Sequence, residues 1–153
     1  MLRKAMIQDI KSIHKLLNKY SETGELLARP LSVLYDHTRD FWVFEEKKEI
    51  IGCCALQFCW EGLAEIRSLA VLKEHTKKGI GTLLVDRIIQ EATVFEVPKL
   101  FTLTYRPSFF QRFDFNIIDR SELPIKIWAD CIMCVKFPDC DEIAMVKNLT
   151  VNT

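Results

Sequence analysis

The stretch from Ala64 to Tyr105 limits the folding choices of this chain more than any other. Ala64-Glu65-Ile66-Arg67-Ser68-Leu69-Ala70-Val71-Leu72 has the length and composition of a strand. A charged loop follows, then Gly79-Ile80-Gly81, then a helical pattern reaching about Phe95 that Pro98 closes. Leu83, Leu84, Ile88, Ile89 and Ala92 are the expected buried side of that helix. Leu100 to Tyr105 predicts the next strand. A strand that passes through a helix into a second strand forms a parallel pair in an α/β sheet.

The rest of the chain fits around this unit. Leu2 to Ala5 predicts a short first strand. From Asp9, Ile10, Ile13, Leu16, Leu17 and Tyr20 recur at spacings of three and four, opposite Lys11, Lys15 and Lys19, and Gly24 ends that helix. Leu31 to His37 reads as a second, short helix. Phe41–Glu45 and Ile50–Trp60 read as strands joined by the charged turn Glu46-Lys47-Lys48-Glu49. After Tyr105, Phe109–Phe113 gives a helical turn or two, and Phe115–Ile118 and Ile143–Leu149 give two more strands. No repeat, low-complexity tract or linker interrupts the pattern, so one domain over residues 1–153 is expected.

Charge and composition narrow the function classes. Lys plus Arg equals Asp plus Glu at 21 each, so no excess basic charge exists to displace counterions from a nucleic acid. Met1-Leu2-Arg3-Lys4 runs into an amphipathic pattern and not an apolar signal core, so no secretory leader is expected. No apolar run approaches the ~20 residues needed to span a bilayer. A cytoplasmic location follows as an expectation. The six cysteines would then sit in a reducing compartment, where their even number is poor evidence for disulfides.

At the start of a helix the backbone N–H groups lack intrahelical acceptors, and with the helix dipole they favour an anion such as pyrophosphate. Gly79 and Gly81 would let that backbone come close, and Lys77 and Lys78 would add charge. The loop has neither the Lys-Ser/Thr end of a P-loop nor the length of a dinucleotide fingerprint. Taken alone, the glycine pair is equally compatible with a loop that merely starts a helix.

The whole arrangement resembles the GNAT acetyltransferases. Their acetyl-CoA motif, Gln/Arg-x-x-Gly-x-Gly/Ala after the fourth strand, corresponds to Thr76-Lys77-Lys78-Gly79-Ile80-Gly81, with Thr76 in place of the usual Arg or Gln. Phe109-Phe110-Gln111-Arg112-Phe113-Asp114-Phe115 resembles the family's Phe-Tyr-x-x-x-Gly-Phe, and Lys4-Ala5 and Asp9 resemble its first strand and helix start. The resemblance implies a mixed central sheet of about six or seven strands flanked by helices and splayed between strands four and five. It also implies acetyl-CoA as co-substrate and an amine as acceptor. Coenzyme A would be held by Leu69, Ala70 and Val71 and by Lys77, Lys78, Gly79, Ile80, Gly81 and Thr82.

Within the family the chain is most similar to the short, stand-alone N-acetylglutamate synthases of arginine biosynthesis. The matching segments are Leu27-Ala28-Arg29-Pro30-Leu31, Asp40-Phe41-Trp42-Val43, Ala64 to Val71, Leu123-Pro124-Ile125-Lys126-Ile127-Trp128 and the ending from Asp130-Cys131 to Cys140-Asp141-Glu142-Ile143-Ala144-Met145. No amino-acid kinase domain is present, as in the short form. The resemblance implies a small amino acid as partner, with no nucleic acid or membrane. Oligomeric state stays open, a homodimer being compatible.

The chemistry follows from residue types. An α-ammonium must lose a proton before it attacks a thioester, and Glu65 is the candidate base, directly or through one water. Period-two alternation would put Glu65, Arg67, Leu69 and Val71 on one strand face; an edge pair or a mutual Glu65–Arg67 salt bridge is the alternative for the charged residues. An acidic acceptor needs cations, so Arg29, Lys126 and Arg67, in that order, are the candidate carboxylate ligands. Phe110 replaces the tyrosine that many family members use to protonate the departing thiolate, which leaves water, Tyr105 or an unprotonated thiolate. Asp114 replaces a glycine, and Asp tolerates a left-handed backbone better than most residues.

Cys53, Cys54 and Cys59 fall in a strand pattern as small core residues. Cys131, Cys134 and Cys140 have spacing that a zinc ion could use, but no histidine lies nearby to complete four ligands, so no metal is expected. Two other readings remain: acetylation of a different amine, and a catalytically silent acyl-CoA-binding regulator, to which Phe110 and Thr76 point.

Overall fold

A computed structural model describes residues 1–21, 29–123 and 142–149. The Tyr20 side chain, the helix stop at Gly24, Lys126, and Cys131, Cys134 and Cys140 lie outside the described residues. The chain forms two compact units, one from Met1–Gln57 and Ile66–Glu91, the other from Phe58–Glu65 and Ala92–Thr153.

In the first unit, β1 (Leu2–Lys4) pairs antiparallel with β2 (Phe41–Glu46), which pairs antiparallel with β3 (Glu49–Trp60). Lys47 and Lys48 join β2 to β3 with φ of 51° and 64°. Two left-handed residues in succession make the hairpin turn whose twist matches its strands. The lysines accept that conformation at a cost and keep the tip charged. Two helices, α1 (Ile10–Ser21) and α2 (Leu31–Asp36), supply apolar faces. Ile10, Ile13, Leu16 and Leu17 pack with Leu34, Phe41, Val43, Cys53, Ala55 and Ala70 in one buried cluster. The period read from the sequence is therefore the period that packs.

Ahead of α1 the chain is pinned by charge. Arg3 grips Asp9 with both guanidinium nitrogens, Nη1 to Oδ2 at 2.7 Å and Nη2 to Oδ1 at 3.0 Å, and Nη2 also reaches Glu45 at 3.2 Å. The Met6 N–H donates to Asp9 Oδ2 at 2.7 Å.

The long helix α3 (Ile80–Val94) buries Ile80, Leu84, Val85, Ile88 and Ala92. Leu83, expected on the buried side, is 46% exposed, and Val85 is buried instead. At about 100° per residue, the stripe centred on Leu84 and Ile88 extends toward Val85 and leaves Leu83 outside. Gly52 of β3 lets this helix sit close to the sheet: a Cβ there would lie 3.0 Å from Ile80 Cγ2 and 3.2 Å from Leu84 Cδ1.

The second unit holds the start of β4 (Leu63–Val71), then β5 (Lys99–Thr104), α4 (Pro107–Gln111), β6 (Asn116–Ile118) and β7 (Ile143–Asn148). β4 pairs parallel with β5 through Leu63↔Lys99, Ala64↔Leu100 and Glu65↔Phe101, and β4 then runs on to Val71. The register covers the first three residues of each strand. β7 pairs antiparallel with β5 and with β6. Cys59, Leu63, Phe101, Leu123 and Ala144 form this unit's core with Leu103, Ile118 and Val146.

The strand order is β1-β2-β3-β4-β5-β7-β6, a seven-stranded mixed sheet flanked by helices, as expected. Among the described residues no helix is long and apolar enough to cross a membrane.

Candidate active site

The first unit carries every residue expected to hold the acyl carrier. β4 ends at Val71, and the Leu72 N–H donates to the Ile51 carbonyl at 2.8 Å, which ties the strand's end to β3. A 3₁₀ segment, Lys73–Lys78, leads to Gly79 at φ 77° and then into α3. Only glycine takes that conformation without strain. No other atom lies within 4 Å of where a Gly79 Cβ would be, so backbone shape, not crowding, calls for glycine here.

The Leu83 N–H donates to the Gly79 carbonyl at 3.1 Å, which starts the helix ladder there. Helix geometry leaves the N–H groups of Ile80 and Gly81 without intrahelical acceptors. Lys77 and Lys78 are exposed beside them. Thr76 turns its hydroxyl back to the Lys73 carbonyl at 3.1 Å, so it braces its own turn.

β4 departs from the alternation expected of it. Ser68 has φ 56°, a left-handed residue inside a strand. A residue in that conformation cannot be extended, so the period-two reading does not carry from Arg67 to Leu69. Two thiols of β3 bond to this stretch: Cys53 Sγ donates to the Ser68 carbonyl at 3.4 Å and Cys54 Sγ to the Arg67 carbonyl at 3.8 Å. Burial pushes the Cys53 thiol up to about 12, and Cys54 well above its ordinary value. Both therefore stay protonated and keep donating. Cys53, Cys54 and Cys59 are buried free thiols in strand β3, in line with the reading as core residues.

Arg29 stands just before α2 and is buried at 9% exposure. Its Nη1 donates to Ser68 Oγ at 3.2 Å, and its guanidinium carbon lies 5.9 Å from the centre of the Phe41 ring. The fold thus joins Arg29 to β4, 39 positions away in sequence. Arg67 is half-buried and donates from Nη1 to Gln57 Oε1 at 3.1 Å.

The second unit holds Glu65, 9% exposed and in register with Phe101. It also holds the residues that depart from the family pattern. Phe110 is buried and packs edge-on against Phe109 and Phe115. Asp114 has φ 66°, the left-handed backbone for which a glycine would be the usual choice. Tyr105 borders a hollow of about 510 Å³ together with Arg106, Ser108 and Arg112. Among the described residues no group of three or more His, Cys, Asp or Glu is placed to hold a metal ion.

Sequence reasoning missed Ser68 and Gly52. Ser68 carries no sequence signal, because a serine in a strand-length run gives no hint of a left-handed backbone. Gly52 had one: a lone glycine inside a strand pattern marks a bulge or a close approach.

A glycine-shaped helix start is suited to an anion such as a pyrophosphate. Residues 8–115 match the model of the acetyltransferase (GNAT) family, and the chain belongs to that family of acetyltransferases. An uncharacterised N-acetyltransferase of Chlorobaculum tepidum is 44% identical over 150 residues, which cover 97% of this chain and 96% of the relative. An amino-acid acetyltransferase of Mycobacterium tuberculosis is 34% identical over 137 residues, 87% of this chain and 76% of that protein. Among solved structures, N-acetylglutamate synthase from Neisseria gonorrhoeae, complexed with coenzyme A and N-acetyl-glutamate, superposes with a TM-score of 0.89 at 28% identity. That match covers 98% of this chain and 35% of that one.

Proposed function

We propose that this chain is a single-domain amino-acid N-acetyltransferase that moves the acetyl group of acetyl-CoA to the α-amine of L-glutamate, the first step of arginine biosynthesis, in the cytoplasm. The observation that carries the reading is Arg29: a buried guanidinium anchored to the strand expected to hold the acyl group. A guanidinium can grip an acceptor carboxylate with two parallel hydrogen bonds. The M. tuberculosis relative is named an amino-acid acetyltransferase, and the N. gonorrhoeae structure holds coenzyme A and N-acetyl-glutamate; both support this reading.

In the proposed mechanism the pyrophosphate of acetyl-CoA rests on the backbone from Lys77 to Thr82. Leu69, Ala70 and Val71 hold the pantetheine and polarise the thioester carbonyl. Glu65 takes a proton from the α-ammonium, directly or through one water. The freed amine attacks the thioester carbon, the attacking nitrogen gives up its second proton to solvent, the tetrahedral intermediate collapses, and the carbon–sulfur bond breaks. The thiolate leaves unprotonated or takes its proton from water or Tyr105, since Phe110 has none to give. Arg29 is the first carboxylate ligand, with Lys126 and Arg67 as the others. Holding amine and thioester together supplies much of the rate by orientation.

A screen of acceptors with acetyl-CoA, scored by release of free thiol, tests the assignment. Glutamate should be the best acceptor. Glutamine should be much poorer, because its side chain offers no second carboxylate to the candidate cations. Equal acetylation of glutamine or of a basic amine would overturn the acceptor and leave the family untouched.

A further inference from the structure

We infer that Ser68 is a positioning residue: its hydroxyl orients Arg29 for the acceptor carboxylate. The inference rests on the acceptor reading above and deepens it.

Three observations in the first unit converge on this residue. Ser68 Oγ accepts from Arg29 Nη1 at 3.2 Å, so one face of the guanidinium is fixed by β4. The Phe41 ring centre lies 5.9 Å from the carbon of the same guanidinium. The Ser68 carbonyl is held from the other side by the Cys53 thiol at 3.4 Å, so the turned backbone is clamped to β3.

A long side chain such as arginine loses rotamer freedom when it grips a carboxylate. A hydrogen bond that already holds it in place reduces that loss, which is the general gain from preorganisation. The Ser68 φ of 56° is an uncommon conformation for a residue with a Cβ. Serine supplies the oxygen that accepts from Arg29.

Steady-state kinetics on Ser68→Ala and Ser68→Asn test this. Ala removes the acceptor oxygen and keeps the Cβ. Asn tolerates the left-handed backbone and offers a carbonyl oxygen to Arg29. Ser68→Ala should raise the apparent KM for glutamate about tenfold with the KM for acetyl-CoA nearly unchanged, and Ser68→Asn should recover most of the loss. An unchanged glutamate KM in Ser68→Ala overturns the role of the hydroxyl. So does an equal rise in both KM values without recovery in Ser68→Asn, which marks a general structural defect. If the wild-type chain itself fails to acetylate glutamate, the acceptor reading falls first and the role of Ser68 falls with it.

Discussion

Glu65 and Arg29 are both charged and both buried at 9% exposure. Burying a charge is costly unless it is partnered, so such residues are few and informative. Glu65 was legible because a charged residue in an otherwise apolar strand needs a reason, and Arg29 because an acidic acceptor needs a guanidinium. If Glu65 is the base, Glu65→Gln should lower turnover by roughly 10²–10⁴-fold with little change in acetyl-CoA affinity. The wild-type rate should also fall toward low pH, since a protonated carboxyl cannot take the ammonium proton. Near-normal turnover of Glu65→Gln at neutral pH would assign the proton to bulk water or another group. Phe110 shows the opposite case. The sequence revealed the missing hydroxyl, but only the buried edge-on contacts with Phe109 and Phe115 show that the ring also serves as packing.

At the level of elements, the order of strands and helices was readable throughout, and two faces were not. The buried stripe of α3 includes Val85 and omits Leu83. The alternation of β4 stops at Ser68. Both depend on which neighbour an element packs against, and hydrophobic period alone does not contain that. The helix start is better determined, because Gly79 at φ 77° is a local demand. Gly79→Val should distort the turn and weaken coenzyme A binding at least tenfold, about 1.4 kcal/mol, in an equilibrium titration. Gly79→Asn, which tolerates a left-handed backbone, should lose much less. Unchanged affinity in Gly79→Val would place the pyrophosphate elsewhere.

Whole-chain stability should carry the mark of the Arg3–Asp9 pair. The Arg3 hydrogen bonds hold the Asp9 carboxyl below its ordinary value, against the opposing effect of burial, and the Met6 N–H adds to the lowering. A carboxyl depressed in the folded state contributes stability that is fully present above its unfolded-state value, about 3.9. That contribution is lost as pH falls through the folded value. Asp9→Asn should therefore lower stability by about 1–3 kcal/mol at pH 7 in urea unfolding. The gap from the wild type should narrow as the pH falls below about 4. A gap independent of pH would mean that Asp9 acts by shape and not by charge.

By itself the sequence determined the elements and the helix-opening glycine, because period, turn residues and short-range spacing are local properties of the chain; the family's chemistry came from the resemblance of its motifs. The tertiary structure alone decided the left-handed Ser68, the thiols that hold the carbonyls beside it, and the contact between Ser68 and Arg29 across 39 positions. Each of these needs a partner from a distant segment, and a chain acquires such partners only by folding.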